Sequence, residues 1–294
     1  MSINKKIGLA LSGGFIKGIS HFGVIDVLLE NGVPIDMISG CSAGGIVASV
    51  YSCGNHDELR DYLLSASGKE WLEVVFEPQL SRKGLLKGER IKEFYKKFIL
   101  GKTFAETDIP LFLAAASLTR KKEVFLNSGS VLDAMMACLV TPGIFSVTNH
   151  QGDYLVDGAV YNQVPTKPLY AHGANYVIAV DVGNKIGYTI RALSYLKKYV
   201  KRLKREREDV TAEEIIQWEE HMHFLQGIIR NMQMFVDSYT NGYLENYKAN
   251  VIIKPSVNYV QRWDIRKIRE LYQHGRMAAE AKMPQIKRDL NLND

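Results

Sequence analysis

The sequence predicts an α/β fold, a mostly parallel sheet with helices covering both faces. Two observations carry this expectation. Strand-like apolar runs alternate with segments of helical periodicity over most of the 294 residues, and strands separated by helices form parallel sheets buried on both sides. The first two runs also end in glycine-rich turns that open helices, SGGFIKG at 12–18 and GCSAGG at 40–45.

Residues 7–11 are a short apolar run. Residues 19–30 place Ile19, Phe22, Ile25, Val27, Leu28 and Leu29 at roughly helical spacing, and Asn31-Gly32 supplies the stop. A second strand is expected at 35–39, followed by a helix to about Cys53. Residues 110–116 read as a buried strand with 123–126 as its neighbour. Residues 130–140 look helical, and Thr141-Pro142-Gly143 ends them. Further strands are expected at 154–156, 176–182 and 251–253. Residues 185–248 hold no strand pattern and are rich in Lys, Arg and Glu. They are expected to form a helical insertion or cap on a single domain spanning 1–294.

Composition bounds the function. Hydrophobic residues make up 46% and charged residues 23%, which suits a globular protein with a large core. A net charge of +5 is too small to point to nucleic acid. The three cysteines, Cys41, Cys53 and Cys138, are odd in number and have no metal-site spacing, so a reducing compartment is expected. No run approaches the roughly 18 apolar residues of a membrane span. The N-terminal apolar run is short and lacks a small-x-small cleavage site. A cytoplasmic protein is the expectation.

The stretch Gly40-Cys41-Ser42-Ala43-Gly44 stands between a strand and a helix. A serine on such a turn has a strained backbone, and small residues two before and two after it relieve the crowding. Gly40 and Gly44 meet that need. Helix amides then face the reacting centre, so Ala43 N–H is a candidate oxyanion donor. A glycine-rich turn that binds nothing has the same letters. The loop at 12–18 fits neither a dinucleotide fingerprint, because Phe15 stands at the second glycine, nor a phosphate-binding P-loop. The better functional reading is an oxyanion hole with amides from Gly13, Gly14 and Phe15 facing Ser42; the plain one is a tight β–α corner.

Asp157 stands at a strand end before Gly158. Strand ends in a parallel sheet share one crevice, so Asp157 could act as base toward Ser42 or orient a histidine that does. An Asp-Gly turn bonding its own backbone is the commoner arrangement. A Ser-Asp-His order leaves His172, His221, His223 or His274 as the base. None follows a strand at an exposed loop, which favours a Ser42–Asp157 dyad.

These motifs resemble those of the bacterial patatin-like phospholipases. LALSGGFIKGISHFGVIDVL is similar to that family's oxyanion loop and first helix, PIDMISGCSAGGIVAS to its nucleophile elbow, and YLVDGAVYNQVP with GANYVIAVDVG to its aspartate motif and next strand. The likeness covers 5–182 and resumes at NVIIKPSV and the final helix. It implies an α/β/α sandwich, a Ser42–Asp157 dyad without catalytic histidine, and hydrolysis of lipid acyl esters with no metal or organic cofactor. The chain departs from the pattern where the third loop glycine is Phe15 and the usual arginine is Lys17. If that position needs positive φ, phenylalanine is strained there.

Residues 191–207, RALSYLKKYVKRLKRER, place Leu193, Leu196, Val200 and Leu203 on one stripe among basic residues. Such a helix can lie on an anionic membrane. A helix packed on the sheet with a solvated basic face has the same pattern and is favoured slightly. Three functions compete: a lipid acyl hydrolase of the patatin-like type, a triad hydrolase of soluble esters or thioesters, and a catalytically weak lipid-binding relative.

Overall fold

The computed structural model describes residues 5–66, 88–141, 152–183, 249–260 and 264–292, with short stretches at 78–81, 84–86 and 148–150 and the positions 70, 74 and 145. The predicted helical segment at 185–248, with the basic stretch 191–207, lies outside the described residues.

Eight strands form one mixed sheet. They are β1 (Ile7–Leu11), β2 (Met37–Cys41), β5 (Leu111–Ser117), β6 (Lys122–Leu126), β7 (Thr148–His150), β8 (Asp153–Asp157), β9 (Tyr176–Val180) and β10 (Val251–Ile253). Their order is β10-β9-β1-β2-β5-β8-β7, with β6 also paired to β5. A separate hairpin joins β3 (Pro78–Ser81) to β4 (Gly84–Leu86). The five strands from β10 to β5 run parallel, whereas β6, β8 and β7 pair antiparallel.

The second strand lies two residues later than 35–39. Ile7 N–H donates to the Asp36 carboxylate at 2.6 Å and Asp36 N–H to the Ile7 carbonyl at 2.9 Å, so 35–36 serve as lead-in. Gly40 and Cys41 then pair with Leu113 and Ala114. The ladder therefore runs up to the residue before Ser42.

The helices are α1 (Ser20–Glu30), α2 (Ala43–Ser52), α3 (His56–Ser65), α4 (Glu89–Ile99), α5 (Val131–Cys138), α6 (Lys167–Ala171), α7 (Ile268–Glu280) and α8 (Met283–Leu290). Strand side chains alternate between two faces. Leu9, Leu11, Ile38, Leu113 and Ile178 join the main core with Phe22, Val47 and Met135 from the helices. Ala10, Met37, Phe112 and Val177 pack on Leu169 of α6 on the other face.

Helices α1 and α7 cross at glycines. A Cβ at Gly23 would overlap the Tyr272 carbonyl, and one at Gly275 would overlap the Ser20 carbonyl. The backbones touch because neither position carries a side chain.

Beside this crossing, Asp26 is only 7% exposed. It accepts from His56 Nε2 at 2.8 Å, Arg60 at 3.0 Å and Tyr272 Oη at 2.7 Å. Burial pushes its pKa up, but the bonds from His56 and Tyr272 and the Arg60 charge outweigh it and the net shift is downward. Its stabilisation is thus complete above the unfolded carboxyl pKa of about 3.9 and is lost as pH falls through the lower folded value. Asp26→Asn is expected to cost about 3 kcal/mol at pH 7, with the gap from wild type narrowing below about pH 4. Melting curves from pH 3 to 7 test this, and a gap that does not depend on pH would contradict it.

Candidate active site

The site forms where β1, β2 and β8 end. The loop after β1 is clipped on both sides. Ser12 N–H donates to the Val180 carbonyl and Val182 N–H to Ser12 Oγ, each at 3.0 Å. Gly13 N–H donates to the Gln163 carbonyl and Gln163 Nε2 to the Gly13 carbonyl, each at 3.3 Å. His21, fully buried on α1, bonds the Ser12 carbonyl through Nε2 at 2.9 Å. Burial pushes its pKa down to about 4, against the opposing effect of that bond. At neutral pH the ring is therefore neutral, and Nε2 must carry the proton because a carbonyl only accepts. Lys17 is buried as well, and its Nζ donates to the Gly183 carbonyl at 3.2 Å.

Phe15 has φ 53°. The position the sequence marks as a displaced glycine does adopt glycine's backbone, so the ring is carried at the expense of local strain.

Ser42 has φ 52° and ψ −123°, which is the strain expected of a nucleophile turn. The steric reason for both flanking glycines is visible. A Cβ at Gly40 would overlap the Gly44 carbonyl, and one at Gly44 would overlap the Leu11 carbonyl. A Cβ at Gly13 would lie 3.2 Å from the Ser42 Cβ, so loop and turn are in contact. The Gly14 and Ala43 amides donate to no backbone carbonyl among the described residues. The Gly13 amide, in contrast, already has Gln163 as its acceptor.

Asp157 arrives by a route the sequence reading did not foresee. That reading used the shared crevice of parallel strand ends, yet β8 is antiparallel to β5. β6 takes one edge of β5 from Leu113 to Ser117. β2 and β8 must therefore share the other edge, where Cys41 pairs with Ala114 and Asp157 with Ala115. The C-terminal ends of β2 and β8 meet head to head. Cys41 Sγ donates to Asp157 Oδ1 at 3.5 Å, and Ala159 N–H donates to the same oxygen at 2.9 Å. Burial first, then the Asp157 charge, pushes the Cys41 thiol up, so it stays a donor. Ser42 and Asp157 are 8% and 5% exposed.

Ser42 opens onto an apolar cavity of about 120 Å³. Its partly exposed lining residues are Phe15, Ala43, Ile46, Leu139, Thr141 and Phe145. Phe22, Leu59, Leu63, Ile91 and Tyr95 form its buried depth. Ser42 lines the cavity between these two sets, and the buried depth, its floor, lies against α3 and α4. Sequence reasoning missed this floor. The signal was present in Ile91, Phe94, Tyr95 and Phe98, which repeat at helical spacing, and in Leu59 and Leu63 one turn apart.

The histidines of the triad reading are occupied elsewhere. His172 Nδ1 bonds the Pro168 carbonyl at 2.7 Å while its ring rests on Phe112, and His274 bonds Tyr259. His221 and His223 lie outside the described residues. Among the described residues, Asp26, His56 and Asp57 stand close enough to hold a metal. Arg60 donates to both carboxylates and Tyr272 to Asp26, so the group is an ion-pair network. No helix among these residues is long and apolar enough to cross a membrane.

The strained serine turn on a mixed, mostly parallel sheet, open to an apolar cavity, defines an elbow-serine α/β protein. The sequence model of the patatin-like phospholipases matches residues 9–170, and the chain belongs to that family. It is 29% identical over 187 residues to an NTE family protein of Mycobacterium bovis, covering 63% of this chain and 52% of that one. It is also 29% identical over 191 residues to lysophospholipase NTE1 of Cryptococcus neoformans var. neoformans, covering 61% of this chain and 11% of the relative. The chain thus spans about half the length of the mycobacterial relative. Among solved structures, VipD from Legionella pneumophila aligns with a TM-score of 0.47 at 15% identity, over 94% of this chain and 67% of that one.

Proposed function

We propose that the chain is a serine acyl hydrolase that cleaves lipid acyl esters. The carrying observation is the strained Ser42 on the lining of an apolar cavity; the head-to-head ends of β2 and β8, with Cys41 next to Ser42 bonded to Asp157, support Asp157 as its base. In this reading Asp157 takes the Ser42 proton as Oγ attacks the ester carbonyl. The alkoxide leaving group takes that proton back. Water, deprotonated by Asp157, then releases the fatty acid from the acyl-enzyme. The oxyanion is assigned to the amides of Gly14, Phe15 and Ala43, with Gly13 making room beside Ser42. An apolar cavity suits an acyl chain better than a soluble polar ester. Family membership and the name of the fungal relative support the same substrate class. Peripheral contact of residues 191–207 with an anionic lipid surface is a finer part of the proposal, supported by the sequence pattern alone.

A fluorophosphonate probe followed by peptide mapping tests the reading. Adduct on Ser42, absent in Ser42→Ala, is expected, together with fatty-acid release from a phospholipid and lysophospholipid panel. Adduct on another serine would overturn the nucleophile. Absence of any adduct would leave a lipid-binding relative.

A further inference from the structure

We propose that the Phe15 side chain sets acyl selectivity, narrowing the cavity mouth so that unbranched chains are accepted and chains branched near the carboxyl are rejected. This rests on the hydrolase reading and adds a residue role to it. Three observations point the same way. Phe15 keeps φ 53°, so the backbone adopts the turn a glycine would make. The large side chain is then an addition to the loop and not a distortion of it. Phe15 lines the same cavity as Ser42. Phe15 is also partly exposed, as are the lining residues Phe145 and Thr141, whereas Leu59, Leu63 and Tyr95 are buried, so we place the mouth on its side of the cavity. An aromatic side chain in the cavity that holds the reacting serine bounds the width available to the first carbons of the acyl group. Chain length is bounded separately, at the far end. Shape selection at an apolar wall discriminates by roughly 10- to 200-fold per misfitted methylene, enough for one ring to decide between a straight and a 2-branched chain.

The test replaces the side chain and keeps the amide. Hydrolysis of p-nitrophenyl dodecanoate is compared with that of a 2-branched isomer in wild type, Phe15→Ala, Phe15→Leu and Phe15→Trp. The ratio of kcat/KM for branched over linear ester should rise about tenfold in Phe15→Ala, less in Phe15→Leu, and fall in Phe15→Trp. A ratio unchanged within about twofold in Phe15→Ala and Phe15→Trp, with both esters slowed alike, would overturn the proposal and assign Phe15 to the oxyanion loop alone. A second readout needs no turnover. In the Ser42→Ala background, dodecanol and its 2-branched isomer compete against a fluorescent fatty alcohol, and their affinity ratio should follow ring size in the same order. A ratio that follows ring size while wild type takes no fluorophosphonate would remove the hydrolase reading and keep Phe15 as the selector. Labelled Ser42 with a ratio indifferent to ring size would do the reverse.

Discussion

Ser42→Gly is expected to melt higher than wild type while losing ester hydrolysis altogether. Ser42 holds φ 52° and ψ −123°, a conformation that costs a residue with a Cβ on the order of 1–3 kcal/mol. Glycine removes that cost but gains freedom in the unfolded chain, worth about 0.5–1 kcal/mol against folding. The net gain is about 1 kcal/mol, or roughly 2–4 °C for a chain of this size. Ser42→Ala loses the hydroxyl and keeps the strain, so its melting temperature should stay near that of wild type. Both variants should lose at least about 10⁴-fold in kcat/KM, as removal of a nucleophile does elsewhere. Stability and activity then move in opposite directions at one position. Calorimetry and a lipid-ester assay on the three proteins decide the matter. Retained hydrolysis in either variant, or equal melting of the glycine and alanine forms, would contradict it.

Asp157→Asn should cost about 10²- to 10⁴-fold in kcat, the range of a lost general base. The substitution is chosen because it spares the fold. Asp157 Oδ1 accepts the Ala159 amide and the Cys41 thiol, and an asparagine oxygen can accept both. The amide cannot take a proton from Ser42, so the acidic limb of the pH–rate profile should vanish with the carboxylate. His172→Ala and His274→Ala should each leave kcat within about twofold, since their rings are held by Pro168 and Tyr259. Should a histidine variant fall as far as Asp157→Asn, the mechanism is a triad.

The letters of the sequence reveal some of this site because sterics write them. Gly40 and Gly44 stand at fixed offsets from Ser42 because a Cβ at either would overlap a carbonyl. The apolar runs of β1, β5 and β9 were legible because those strands are buried on both faces. The direction of β8 was not legible. Residues 153–157 have the same side-chain pattern whichever way the strand runs, and direction depends on where the chain re-enters the sheet. The floor of the cavity is also a tertiary property, since α3 and α4 become its walls only by packing against α2. Phe15 is the intermediate case. Its departure from glycine was plain, but only the backbone angle distinguishes a loop reshaped around a large residue from a loop that keeps its shape.

The crossing of α1 and α7 has a genetic consequence. Gly275 abuts the Ser20 carbonyl, and Ser20 begins the helix whose next residue, His21, holds the Ser12 carbonyl of the glycine loop. A side chain at 275 therefore pushes on the start of α1 and, one residue on, against the tether of that loop. The overlap is with backbone atoms, so one of the two helices must shift to admit it. A screen for loss of ester hydrolysis would accordingly recover Gly275 beside Ser42 and Asp157, with a lowered melting temperature in the Gly275 variants alone. Read without the fold, that cluster of phenotypes would be taken for a second active site at the far end of the chain.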